Sequence, residues 1–112
     1  DDTAATLGDD GAINFNAATV FLFHTDDDLA ADDFGDVSAI ADTWNTTNNG
    51  APSNAAANQE VIFGIGNASG TQYGIYYFKD VTGSGDIAAT DQLALLAIVT
   101  AASVVGGDIT FV

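Results

Sequence analysis

Apolar and polar positions begin to alternate at Ile13 and Phe15, with Asn14 and Asn16 on the other side. The run Thr19–His24 (TVFLFH) follows. Because Val20, Phe21, Leu22 and Phe23 are all apolar, it predicts a strand covered on both faces. From Asp36 the period turns helical, with Val37, Ile40 and Trp44 at i, i+3 and i+7. Asp36 is placed to cap this helix and Asn48-Asn49-Gly50 to stop it, so one short helix is expected over about residues 36–47. Residues 45–58 then have a loop composition around the only proline.

The second half is more regular. Glu60–Gly66 (EVIFGIG) reads as a strand, Asn67–Thr71 as a turn and Gln72–Lys79 (QYGIYYFK) as its hairpin partner. Asp80–Asp91 is a polar, glycine-rich loop. Leu93–Val99 (LALLAIV) reads as a strand, with a short helix as the alternative because Leu and Ala favour helix. Gly106-Gly107 breaks the chain, and Asp108–Val112 (DITFV) reads as a closing strand. Several strands carry large apolar residues on both faces: Tyr73, Ile75 and Tyr77 on one side, Tyr76 and Phe78 on the other. A lone antiparallel sheet would leave one face wet, so the second face calls for the helix or another copy of the chain. The fold expected is mainly β: a single small β-sandwich or barrel-like domain with one short helix. Residues 1–12 are read as an extended arm or an exchanged strand.

Length agrees with one domain, since 112 residues can hold a modest core without staples. Charge changes the picture more. Sixteen acids face one base, Lys79, for a net charge of −15. Nucleic acid is excluded as a partner, because binding there needs Lys and Arg to neutralise phosphates. Attraction to anionic membranes is excluded on the same ground. No apolar run approaches the ~20 residues of a membrane-spanning helix. The negative charges repel one another and disfavour a compact state, so bound cations, a saline medium or burial in an assembly must offset them. The chain has no cysteine, hence no disulfide framework. It starts without a methionine, as a processed chain or a piece of a longer one would.

The loop Asp80–Asp91 (DVTGSGDIAATD) carries the most specific chemistry. Laid on the twelve-residue EF-hand calcium loop, Asp80, Thr82, Ser84, Asp86 and Asp91 fall at positions 1, 3, 5, 7 and 12. Gly85 falls at position 6, where the turn is sharp, and Ile87 at position 8. Calcium takes six to eight hard oxygens, which alternate residues of a curling backbone can aim at one point. Thr82, Ser84 and the short Asp91 stand where Asp, Asn and Glu are usual, so the expected affinity is in the weak, ~10⁻⁴–10⁻³ M class. The alternative is a turn whose Asp80 and Ser84 hydrogen-bond their own backbone. A second acidic cluster spans Asp26, Asp27, Asp28, Asp32, Asp33 and Asp36. If helical, it would place Asp28, Asp32 and Asp36 on one face, although charge runs are usually solvated. Asp9 and Asp10 form a weaker pair of the same kind.

From Glu60 onward the chain resembles the C-terminal segments of bacterial calcium-dependent surface proteins of the RTX and S-layer type. The resemblance rests on an apolar hairpin ending in GIYYFKD, an Asp- and Gly-rich loop (DVTGSGD), an apolar strand (LALLAIV) and a short closing segment (DITFV). The nonapeptide repeat G-G-x-G-x-D that marks RTX proteins is absent. The resemblance implies export without an N-terminal signal, extracellular or cell-surface residence, calcium dependence and a structural or adhesive role.

Other candidates are weaker. His24, the only histidine, has no nucleophile-elbow motif beside it and too few partners for zinc. No paired acids sit in an evident cleft, as glycoside hydrolysis would need. Asn45-Thr46-Thr47 and Asn67-Ala68-Ser69 match the glycosylation pattern and are read as chance. Together these readings point to a non-enzymatic, calcium-stabilised extracellular module of a surface layer, adhesin or filament that forms a homo-oligomer or polymer. The alternative partner is a glycan, stacked on Trp44 or Tyr76 beside calcium.

Overall fold

The computed structural model describes residues 4–7, 20–23, 33–47, 54–67 and 71–100. They form five strands, β1 (Ala4–Leu7), β2 (Val20–Phe23), β3 (Gln59–Gly66), β4 (Gln72–Asp80) and β5 (Gln92–Thr100). A 3-10 turn at Asp33–Gly35 leads into one helix, α1 (Val37–Thr47). The fold is mainly β with one short helix, as expected. The described strands lie in a single sheet of order β1-β2-β3-β4-β5.

β1 and β2 pair in parallel, as do β2 and β3; β3–β4 and β4–β5 are antiparallel. The parallel part was not evident from hydrophobic pattern. Parallel neighbours need crossover connections, and here the β2–β3 crossover contains α1. The strand read at Thr19–His24 lies inside the sheet, between β1 and β3. The segment read as an arm contributes β1. The run read as strand or helix, Leu93–Val99, is a strand, because β4 supplies a partner along nearly all its length. The alternation at Ile13 and Phe15, the helix stop at Asn48-Asn49-Gly50, His24, Asp9, Asp10 and the closing strand Asp108–Val112 lie outside the described residues.

Helix α1 starts where Asp36 caps it: Asp36 Oδ1 accepts hydrogen bonds from the Ser38 and Ala39 backbone N–H groups at 2.9 and 3.2 Å. Ile40 and Trp44, one turn apart, are buried against the sheet. Val37, expected on that stripe, is exposed, and the apolar side chain buried at this end of the helix is Phe34, from the turn. Facing them are Val61, Phe63 and Ile65 of β3 with Tyr76 and Phe78 of β4. Trp44 lies 4.6 Å from Phe63 and 5.3 Å from Phe78 between ring centroids, and Phe63 stacks on Tyr76 at 5.2 Å. Such ring pairs each stabilise by about 0.5–1.5 kcal/mol beyond their buried area. On the opposite face Tyr73 is buried, and its ring lies over its cross-strand partner Gly66, where an added Cβ would come within 3.0 Å of it.

Candidate functional site

The candidate loop begins where β4 ends. Asp80 is buried completely, and its carboxylate gathers the loop around itself. Oδ1 accepts from the Thr82 N–H at 3.0 Å, the Gly83 N–H at 2.6 Å and the Thr82 hydroxyl at 3.2 Å. Oδ2 accepts from the Gly85 N–H at 2.6 Å. The backbone can wrap so tightly because Gly83 and Gly85 take φ of 79° and 82°, a region that L side chains avoid. An added Cβ at Gly83 would also lie 2.7 Å from the Ala57 backbone nitrogen.

Asp91 closes the other end. Its Oδ1 accepts from the Val81 N–H and its Oδ2 from the Ala88 N–H, both at 2.8 Å. Ser84 Oγ accepts from the Asp86 N–H at 3.2 Å. Helix α1 supplies the rest of the frame. The Trp44 indole Nε1–H donates to the Gly85 carbonyl at 2.8 Å. Asn45 holds both sides of the Ile87 peptide, donating from Nδ2 to its carbonyl at 3.0 Å and accepting its N–H at Oδ1 at 2.8 Å. Side-chain oxygens thus receive the N–H groups of Val81, Thr82, Gly83, Gly85, Asp86, Ile87 and Ala88. Ile87 is buried in the core.

Of the residues read as calcium ligands, Asp80, Thr82 and Ser84 are brought together, with Thr82 Oγ1 lying 3.2 Å from both Asp80 Oδ1 and Ser84 Oγ and able to donate its one proton to either. Asp86 is exposed, and Asp91 turns its oxygens to Val81 and Ala88. Among the described residues, no three acids form a group able to hold a metal ion. An ionised carboxylate has about four lone-pair directions, and Asp80 Oδ1 already accepts three bonds. The oxygens of Asp80 and Asp91 here meet backbone N–H groups, the pattern of the self-closed turn weighed as the alternative for this loop. Asp28 and Asp32 lie outside the described residues, and Asp36 is the helix cap.

Two residues of this frame escaped the sequence reading. The sequence places Trp44 in the core or beneath a glycan, yet its indole N–H is the donor that docks the loop. Asn45 was assigned to a chance glycosylation pattern, and both ends of its amide are engaged with Ile87. The signal available was position: the last turn of α1 is where a buried glycine loop would find side-chain partners. Trp44 and Tyr76 are both buried, so neither offers a face on which a sugar could stack.

No family model, curated protein or solved structure matches this chain. The likeness to surface-protein C-terminal segments therefore stands on residue pattern alone.

Proposed function

We propose that this chain is a non-enzymatic structural module that works by associating with copies of itself, as a subunit of an extracellular surface layer or filament. The observation that carries this reading is β5. Leu95, Leu96, Ile98 and Val99 are 41%, 56%, 51% and 39% exposed, side by side at the end of the sheet order. Exposed apolar side chains gathered on one element mark an interaction site, and here they lie on both faces of an edge strand with no charged residue. The acid excess suits a saline or cation-rich medium outside the cell.

The expected role of calcium takes a different form in this reading. Asp80 holds the loop closed through backbone N–H groups, so divalent cations act on this chain by neutralising its many exposed acids. Light scattering and electron microscopy of the purified chain over a salt series test the assembly. The expected result is particles heavier than the 11.4 kDa chain, growing as salt screens the repulsion. A single 11.4 kDa species at all salt concentrations contradicts it.

A further inference from the structure

We propose that two copies of this chain join edge to edge through β5, strand against antiparallel strand, with Leu95 of each copy opposite Ile98 of the other. The inference rests on the self-association proposed above and adds to it the partner strand and its register.

β5 is the last strand of the sheet, and among the described residues no strand pairs with its outer edge. Natural proteins blunt such edges with lysine, proline, inward-pointing charge or a bulge. Gln92–Thr100 has no charge, proline or glycine. Its one blunting device is a bulge at Leu96, where Ile75 pairs with Ala97 and Tyr76 with Leu95. Charge selects a second copy as the occupant. Asp36, Asp42, Glu60 and Asp86 are exposed on other elements, and Asp33 of the turn beside β5 and Asp91 before it are the described acids nearest the strand. The strand itself is uncharged, so two chains of net charge −15 meet with least repulsion along it. The opposite edge, β1, is four residues long and flanked in sequence by Asp1, Asp2, Asp9 and Asp10. Its four residues do not match the nine of β5 in length, whereas β5 matches itself.

The bulge then fixes the register. Before it, Leu93 and Leu95 oppose Phe78 and Tyr76 on the helix side; after it, Ile98 opposes Gly74 on that same side. Ala94, Ala97 and Val99 oppose Tyr77, Ile75 and Tyr73 on the far side. Directly opposed residues of an antiparallel pair share a face. Faces therefore match when Leu95 meets Ile98 and Ala94 meets Val99, about a two-fold axis between Leu96 and Ala97. The contact is isologous and closes as a dimer, the building block from which a layer or filament grows through other surfaces, with two Leu95 and two Ile98 side chains gathered around the axis on the helix side.

The absence of native cysteine makes the register directly testable by disulfide trapping. Opposed antiparallel residues have Cα atoms about 4.5–5.5 Å apart, within disulfide reach. Two copies of residue 95 would lie about 10 Å apart along the strands, beyond it. A mixture of Leu95→Cys and Ile98→Cys chains, oxidised mildly in high salt, should give a disulfide dimer, and neither chain alone should. In parallel, Ile98→Asp should return the assembly to the mass of one chain while circular dichroism stays unchanged. Association of the unmodified chain without the mixed disulfide overturns this pairing and leaves the assembly reading intact. A chain that sediments as a monomer in high salt overturns both.

Discussion

Asp80 sits fully buried on the helix side of the sheet, while the chain's one basic side chain, Lys79, pairs with Glu60 at 3.4 Å across β3 and β4. The Asp80 charge is balanced instead by backbone dipoles, in charge-assisted bonds shorter and stronger than neutral ones. Asp80→Asn keeps the shape, removes the charge and sets an amide donor against the Gly85 N–H. We expect it to lower stability by about 2–3 kcal/mol, on the scale of a hydrogen bond to a charged group, read as a fall in the urea midpoint. Tyr76 makes a second residue-scale prediction. Gly74 leaves room for the Phe34 and Tyr76 rings, since an added Cβ would lie 2.6 Å from Phe34 Cδ1 and 2.7 Å from Tyr76 Cε2 and its hydroxyl, and that hydroxyl donates to the Phe34 carbonyl at 2.6 Å. Burial holds this hydroxyl protonated well above the ordinary tyrosine value of 10.0. The unfolded chain therefore loses that proton first. The contribution of Tyr76 to stability is complete below pH 10 and falls as pH rises past it. Tyr76→Phe should cost about 1–3 kcal/mol near neutrality by leaving the Phe34 carbonyl unpaired, and should flatten the alkaline fall in melting temperature above pH 10. Tyr77 contributes to the same fall, because partial burial, and after it the Glu60 carboxylate that takes its hydrogen bond, raise its hydroxyl as well.

The elements most legible in the sequence were those with strong local signals. Asp36 caps α1 as its spacing implied, and the hairpin β3–β4 follows the alternation of Glu60–Gly66 and Gln72–Lys79. What was not legible depended on contacts distant in sequence. The pairing of β1 with β2 is carried by four residues with no strand signature of their own. The ligand spacing of Asp80–Asp91 is shared by calcium loops and self-closed turns alike, because both need oxygens on alternate residues facing inward. What distinguishes them is whether those oxygens meet N–H groups or converge on a point, which spacing alone does not show, and the side chains that dock the loop, Trp44 and Asn45, are about forty positions away. The interaction between α1 and the loop gives its own prediction. Asn45→Ala removes two hydrogen bonds to Ile87, each worth about 1 kcal/mol. It should destabilise the protein by about 2 kcal/mol and raise hydrogen exchange at the Ile87 amide, which then has no side-chain acceptor. Unchanged exchange there would show that the loop keeps its shape without the helix.

At the scale of the molecule, fifteen uncompensated charges set the response to ions. Sodium chloride should raise the melting temperature steadily by screening repulsion. Calcium and magnesium at equal concentration should raise it further and equally, and chelator should return it to the sodium value. A rise specific to calcium and lost in Asp80→Asn would instead assign the loop a cation. The same screening should favour association through β5, whose apolar side chains are exposed in the single chain. Amide hydrogen exchange of Gln92–Thr100 as a function of protein concentration is the most direct measurement of that claim. The account predicts protection that rises with concentration in β5 while β3 and β4 stay protected throughout. Protection of β5 that is the same at every concentration would contradict it.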